Sequence, residues 1–225
     1  MGRAAGERRE ELVSLYREAR DCVKCPLSES RTQVVFGAGN ADADLMFVGE
    51  APGFNEDQQG VPFVGRAGKL LDELLAEQGI RREDAFVANV LKCRPPDNRD
   101  PQPDEIETCR PYLERQVELI EPKVICTLGN FATKLLSGSP RGITTVHGEP
   151  QEHTIGERTV TLFPIFHPAA GLRTPRVKEQ LREDFAKLPA LLDGAADQVA
   201  GSRAAPEAEV AAAEVPAADQ LGLFG

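Results

Sequence analysis

The stretch LMFVGEAPG, residues 45–53, decides the fold of this chain. Its first five residues form a short apolar run that ends in a turn, as a buried strand does. A segment with helical periodicity, RAGKLLDELLAEQGI, follows at residues 66–80, and a second apolar run, AFVANVL, follows at residues 85–91. A strand, a helix and another strand in this order are typical of a parallel βαβ unit.

The same alternation continues along the chain. Strand-like runs occur at residues 123–129 and within 159–168, and helical patterns occur at residues 9–22, 103–120, 130–136 and 176–192. Pro111 interrupts the longest of these helical patterns, so we expect it to kink or split that helix. The alternation predicts an α/β fold, with a three-layer α/β/α arrangement around a central, mainly parallel four-stranded sheet.

The predicted strands are followed by turns that are rich in glycine, proline and polar residues. These turns read GEAPG, KCRPP, LGN and HPAAG. The carboxyl ends of parallel strands meet at one edge of a sheet, and sites in such folds lie beyond that edge. We therefore expect the four turns to come together and to carry the function.

Length and composition indicate one domain and a tail. The chain has 225 residues, 41% of them hydrophobic, and we expect a domain of residues 1–192 and a disordered, Ala-rich, acidic tail of residues 193–225. The net charge is −10, and the tail carries −5 of it, since it holds six acidic residues and one basic residue. The charge argues against a nucleic-acid partner, although a mildly acidic domain can present a local basic groove.

The sequence shows no long apolar run and no apolar N-terminal segment, so we expect a cytoplasmic protein without a membrane helix or a secretory signal. Disulfides are rare in that compartment, and the number of cysteines, five, is odd. Cysteines in such a chain are more often buried, catalytic or bound to a metal.

Four of the cysteines have the spacing of a metal centre. Cys22 and Cys25 form a C-x2-C pair, and fifteen residues separate Cys93 from Cys109. Four thiolates in this pattern bind either zinc or an iron–sulfur cluster, and the spacing does not distinguish the two. A redox-active C-x2-C pair of the thioredoxin type should follow a strand and open a helix. Here the pair follows a helix and precedes Pro26, so the pattern favours a metal centre. Cys126 lies within a predicted strand, where a buried thiol is expected.

Two further motifs bear a family resemblance. VGEAPGFNEDQQGVPFVGRAG, residues 48–68, and FHPAA, residues 166–170, resemble the two signatures of the uracil-DNA glycosylase superfamily. Together with the four cysteines, residues 10–192 are similar to the family 4 enzymes, which carry a 4Fe–4S cluster. The resemblance implies such a cluster at the four cysteines. It also implies a monofunctional glycosylase that flips uracil out of DNA and hydrolyses its N-glycosidic bond, leaving an abasic site for base excision repair.

The resemblance implies roles for residues around the base. Phe63 would stack on the flipped uracil, and the Asn89 amide would read its hydrogen-bonding edge, since an amide offers both a donor and an acceptor. Ala51 and Gly53 would lie against the base, and the segment from Gly53 onward would exclude the methyl group of thymine.

Three residues are candidates for catalysis. His167 would stabilise the negative charge that develops on the departing uracil. Superfamily members of the best-known type carry an Asp where this chain has Ala51, so the resemblance implies no dedicated water-activating Asp. Glu50 and Glu56 are the carboxylates that could assist, and the sequence does not assign their roles.

The implied DNA contacts lie in the same turns. Leu172 would fill the gap left by the flipped base, and Arg173 beside it would contact the backbone. Arg94 is a further candidate for the DNA backbone, together with three other cations, Lys92, Arg99 and Arg110.

Two alternatives to a glycosylase are a protein that traps uracil-containing DNA covalently and a cluster-bearing module without catalysis. The trapping branch of the superfamily uses a histidine in an inserted basic loop, and the sequence shows no Lys/Arg-rich loop ending in His between the first motif and Cys109.

The last residues resemble a docking peptide. QLGLF, residues 220–224, follows the tail and is similar to the motif by which bacterial repair proteins bind the replication sliding clamp. The clamp-binding residues would be Gln220, Leu221, Leu223 and Phe224. We expect a monomer whose partners are uracil-containing DNA and this clamp.

Overall fold

The computed structural model describes residues 4–156 and 158–194. The predicted clamp-binding peptide and nearly all of the predicted tail lie outside these ranges. Within them, no helix is both long and apolar enough to cross a membrane.

A six-stranded sheet forms the centre of the described chain. Its strand order is β1-β3-β2-β4-β6-β5. The strands are β1 (Ala38–Gly39), β2 (Leu45–Gly49), β3 (Phe86–Asn89), β4 (Val124–Leu128), β5 (Gln151–Ile155) and β6 (Arg158–Ile165). The middle four strands pair in parallel, and β1 and β5 add to the two edges in antiparallel fashion.

The predicted parallel sheet of four strands is confirmed, but the full sheet has six strands. The two additional strands were not predicted because they carry almost no apolar signal. β1 has only two residues, and β5 exposes polar side chains along most of its length. An edge strand with one solvated face does not need the continuous apolar run of a buried strand.

Nine α-helices connect or flank these strands in the described ranges. They are α1 (Ala5–Arg20), α2 (Leu27–Ser30), α3 (Phe54–Gln59), α4 (Arg66–Glu77), α5 (Pro103–Ile120), α6 (Asn130–Ser137), α7 (Ile143–Val146), α8 (Pro168–Gly171) and α9 (Pro175–Phe185). Residues 188–194 are also helical.

Two hydrophobic cores, one on each face of the sheet, produce the three layers. Alternate residues of β2 point to opposite faces, so Met46 and Val48 belong to one core while Leu45 and Phe47 belong to the other. The first core packs against α1, α5 and α6, and the second packs against α4, α7 and α9. The predicted three-layer α/β/α arrangement is therefore confirmed.

Of the two predicted effects of Pro111, a kink or a split, the split does not occur, because α5 is one helix that contains this proline. Pro111 is exposed, while Tyr112, Leu113 and Val117 on the neighbouring face are buried in the first core. A proline inside a helix costs about 3 kcal/mol. Burial of these side chains, at about 1.5–3 kcal/mol each, offsets that cost.

Candidate functional site

The turns after the parallel strands meet at one edge of the sheet, where they enclose a cleft of about 370 Å³. This volume is within the usual range for a small-molecule site. Eight of the residues singled out by the sequence line the cleft: Glu50, Ala51, Gly53, Glu56, Phe63, Asn89, His167 and Arg173. The cleft thus brings together residues of the turn after β2, the loop of Phe63, the end of β3 and the turn after β6, whereas the predicted turns KCRPP and LGN contribute no lining residue.

Asn89 ends β3 and turns its side chain towards the cleft. The residue is only 2% exposed, yet its amide has no hydrogen-bonding partner among the described residues. Gly49 beside it leaves room for this side chain, since a Cβ there would lie 2.4 Å from Asn89 Oδ1. The amide is therefore available to a ligand.

Phe63 forms a wall of the cleft in a strained backbone conformation. Its φ is +55°, in the left-handed region that costs a non-glycine residue about 1–3 kcal/mol. Its ring stacks beside that of His167, with 5.6 Å between the ring centroids. The loop packs so closely on α4 that a Cβ at Gly68 would lie 1.7 Å from the Phe63 carbonyl oxygen.

His167 immediately precedes α8, and its backbone contacts determine which ring nitrogen carries a proton. Its Nδ1 accepts a hydrogen bond of 3.1 Å from the backbone N–H of Ala169. In a neutral ring the proton therefore resides on Nε2. Burial lowers the pKa of His167 to about 4, even though the charge of Glu56 acts to raise it. At neutral pH this histidine is an uncharged Nε2–H donor.

The two glutamates of the cleft have different environments. Glu56 Oε1 accepts hydrogen bonds from the backbone N–H groups of Val64 (3.0 Å) and Gly65 (2.9 Å). This carboxylate therefore braces the loop that carries Phe63. The Glu50 side chain makes no hydrogen bond within the described ranges, and burial, reinforced by the charge of Asp100, raises its pKa.

Three of the predicted DNA-contacting residues lie at the mouth of the cleft. Arg173 lines it, and Leu172 is 38% exposed next to it. Arg94 donates a hydrogen bond of 2.7 Å to Asn98 Oδ1, and Asn98 is another lining residue.

The other three predicted DNA-contacting cations have protein partners. Lys92 is only 2% exposed, so the expectation that it contacts the DNA backbone is wrong. Arg99 forms an ion pair with the buried Glu105 at the start of α5, and Arg110 forms one with Glu114. The long side chain of Lys92 reaches acceptors inside the fold, which its position in a polar turn did not reveal.

The four cysteines predicted to hold a metal centre line one shared cavity, here called the cysteine cavity. Cys22 and Cys25 come from the end of α1 and the turn after it, Cys93 follows β3, and Cys109 lies in α5. Among the described residues, no group of three Cys, His, Asp or Glu side chains is assembled closely enough to hold a single metal ion. Cys126 is fully buried in β4, as expected.

Hydrogen-bond donors in the cysteine cavity would stabilise its cysteines as thiolates. Burial raises the pKa of Cys93 to about 11, while a hydrogen bond of 3.3 Å from Arg31 Nη1 to Cys93 Sγ acts in the opposite direction. Burial also raises the pKa of Cys109, whose Sγ accepts a hydrogen bond of 3.3 Å from the backbone N–H of Lys92. Hydrogen bonds from such N–H groups orient and stabilise a metal-bound thiolate.

Lys92 connects the cysteine cavity to the cleft. Its backbone N–H bonds Cys109, while its side-chain Nζ donates to the backbone oxygen of Asn89 (2.7 Å) and to Gln116 Oε1 (2.6 Å). A second connection runs through residues 31 and 32. Arg31 contacts Cys93, and the backbone N–H of Thr32 donates to both carboxylate oxygens of Asp57 in α3.

Sequence reasoning missed three lining residues, Ala67, Asn98 and Ala169. Asn98 has a positive φ of 52° in a proline-rich loop. Asn tolerates this conformation better than most residues, which is the signal that could have marked it. The two alanines contribute backbone and small side chains, for which the sequence carries no signal.

Comparison with known proteins identifies similar chains. The model of the Uracil DNA glycosylase superfamily matches residues 36–188. A type-4 uracil-DNA glycosylase from Archaeoglobus fulgidus is 47% identical over 80% of this chain and 92% of its own length. The type-4 enzyme from Sulfurisphaera tokodaii is 46% identical over 79% of this chain and 83% of its own length. The one from Thermotoga maritima is 48% identical over 73% of this chain and 85% of its own length.

Proposed function

The chain belongs to the type-4 family of the uracil-DNA glycosylase superfamily, and on that premise we propose that it removes uracil from DNA. The chain would flip the nucleotide into the cleft and hydrolyse the bond between uracil N1 and the sugar C1′, leaving an abasic site. One observation carries the proposal. The Asn89 amide, which has no hydrogen-bonding partner among the described residues, faces the same cleft as the Phe63 ring and the His167 donor.

Asn89 and Phe63 account for recognition of the base. The amide of Asn89 would donate to uracil O4 and accept from N3–H, whereas the N4 amine of cytosine would face a second donor. The Phe63 ring would support the face of the base. Ala51 and Gly53 would lie against its edge, and the start of α3 would leave no room for the methyl group of thymine.

His167 accounts for the departure of the base. When the glycosidic bond breaks, its electron pair moves onto uracil, and negative charge develops at N1 and O2. The neutral Nε2–H of His167 would donate to O2 as that charge grows. A pre-oriented donor of this kind contributes about 10²–10³-fold to kcat.

The two glutamates of the cleft would have different roles, one in catalysis and one in positioning the Phe63 loop. Glu50 has no partner in the described structure and would orient the water that adds to C1′ and then accept its proton. Glu56 is occupied by two backbone N–H groups and would maintain the strained loop of Phe63. Glu56 is thus proposed as a positioning residue rather than as the second catalytic carboxylate.

Leu172 and Arg173 would contact the DNA next to the cleft. An exposed leucine at the mouth has the shape of a wedge that fills the space of the flipped base. The guanidinium of Arg173 would bind a backbone phosphate, and Arg94 would do the same on the other turn.

The four cysteines would hold a 4Fe–4S cluster. The residues fit this group, because four thiols from three segments share one cavity and two of them already accept N–H hydrogen bonds. When bound, the cluster would supply a structural cross-link between the end of α1, the turn after β3 and α5. The proposed catalytic residues lie elsewhere, in the cleft.

The remaining proposals concern partners. We propose that residues 220–224 bind the replication sliding clamp and that the protein acts as a cytoplasmic, nucleoid-associated monomer; the sequence alone supports these points. A peptide of residues 216–225 should bind a bacterial clamp in a titration. The same peptide with Leu221→Ala and Phe224→Ala should not bind.

Uracil release from a labelled oligonucleotide with one uracil tests the enzymatic proposal. The protein should generate alkali-labile sites with turnover, and Asn89→Asp should abolish release, because a carboxylate has no donor for O4. Asn40→Asp, near β1 and away from the cleft, is the matched control and should retain activity. A covalent adduct without turnover would indicate a trapping protein. Absence of both from protein that retains its iron would contradict the proposal.

A further inference from the structure

Phe54 is a large apolar side chain that the proposed function leaves without a role. It is the first residue of α3 and is 58% exposed. Its neighbour Gly53 lines the cleft, so the ring stands at the rim of the cleft. Exposed aromatic rings lose the free energy of burial, about 25 cal/mol for each Å² of apolar surface. A ligand that covers this ring would gain that free energy.

Arg94 lies over this ring. Its guanidinium carbon is 5.3 Å from the centroid of the Phe54 ring, within the range of a cation–π contact. Its Nε is held by Asn98 Oδ1, a lining residue of the cleft. In the described part of the chain, Arg94 forms no ion pair with an acidic side chain, so its charge is available to an anion.

We propose that Phe54 and Arg94 form a binding site for the nucleotide that follows or precedes the flipped uracil on the same strand. This proposal rests on the proposed function. The base of that nucleotide would stack on the exposed ring of Phe54, and its phosphate would bind the guanidinium of Arg94. Aromatic rings paired with arginine bind single-stranded nucleic acid in this way without reading its sequence.

The position of the pair supports a nucleotide over a protein partner. Uracil in the cleft remains covalently attached to its strand, so an adjoining nucleotide must pass close to the rim. Phe54 is one residue from the lining Gly53, and Arg94 is bonded to the lining Asn98. Leu172 and Arg173 follow β6, which is separated from β3 by two strands. The two pairs would therefore contact different parts of the DNA.

The absence of tryptophan from the chain permits a direct test. Phe54→Trp places a single indole at the rim, and its fluorescence should be quenched when the full-length variant binds an oligonucleotide with a stable tetrahydrofuran abasic site. Tyr16→Trp is the matched control, because Tyr16 is a 43% exposed aromatic residue on α1, away from the cleft. Its fluorescence should change little. Equal quenching at both positions, or none at position 54, would overturn the proposal.

Kinetics give a second readout. Phe54→Ala should raise KM for a single-stranded uracil substrate by about 5- to 150-fold, the range for loss of one stacked base, while kcat should change little. Phe54→Tyr should restore KM, and Arg94→Gln should reduce the salt dependence of binding by about one phosphate contact. A wild-type KM in Phe54→Ala would refute the stacking site. Failure of the wild-type protein itself to release uracil would instead reject the proposed function.

Discussion

The cleft and the cysteine cavity differ in what holds their residues in place. The cleft takes its functional side chains from the ends of parallel strands, and the hydrogen-bonded ladder of the sheet positions them. The cysteine cavity takes its thiols from the end of one helix, a turn and the interior of another helix, with no shared ladder. The chemistry of the cleft can therefore be altered without loss of structure, whereas the structure of the cavity depends on the group that its thiols bind.

Removal of one thiol should have the largest effect. Cys109→Ala should lose iron and destabilise the protein on the order of 5 kcal/mol, since structural metal centres contribute about 10–16 kcal/mol in the smallest domains. Iron content and thermal unfolding measure both effects. Cys126→Ala is the matched control, because this buried thiol lies outside the cysteine cavity. The Cys126→Ala protein should keep its iron. A stable, iron-free, fully active Cys109→Ala protein would show that the structure of the cysteine cavity does not depend on the group that its thiols bind.

Removal of the histidine in the cleft should affect rate rather than structure. His167→Ala should lower kcat for uracil release by about 10²–10³-fold, or 2.7–4 kcal/mol, because the Nε2–H donor is lost. Iron content should stay at the wild-type level. His153→Ala, on the edge strand β5, should leave kcat unchanged. Iron loss in His167→Ala would mean that the cleft is not independent of the cavity.

Lys92 tests how far the two regions are coupled. Lys92→Met keeps the length of the side chain but leaves Asn89 O and Gln116 Oε1 without their donor, at about 1–3 kcal/mol for each buried acceptor. Iron retention under a chelator and uracil release should fall together. A change in one property alone would show that Lys92 does not couple the two regions.

The smallest effect should be the pH dependence of stability. Unfolded His167 binds a proton below its ordinary pKa of 6.5, whereas the folded residue binds one only near its pKa of about 4. The unfolded state thus holds more protons between these values, and stability is lost as the pH falls through this window. We expect about 1 kcal/mol less stability at pH 5.5 than at pH 7 from this residue. Urea unfolding of wild type and His167→Gln at both pH values should show the difference, and identical pH dependence would contradict it.

Much of the fold was predictable because buried parallel strands have a strong local signal. The run of residues 45–49 was predicted to the residue, and residues 123–129 differ from β4 by one residue at each end. β1 and β5 were missed because one side of each edge strand needs no apolar residues. Pro111 does not split α5, because the packing of this helix against the sheet outweighs a local preference.

The sequence by itself determined the order of the four parallel strands and of the longer helices, the residues in the turns after these strands and the identity of four thiols. These features depend on local pattern and on motifs. Tertiary structure decided the rest: that Lys92 is buried between the two regions, that His167 is a neutral Nε2–H donor, and that Glu56 braces the Phe63 loop while the Glu50 carboxylate has no hydrogen bond from any described residue. The physical reason is that burial, protonation and hydrogen bonding depend on neighbours far away in the chain, which only the folded structure brings into contact.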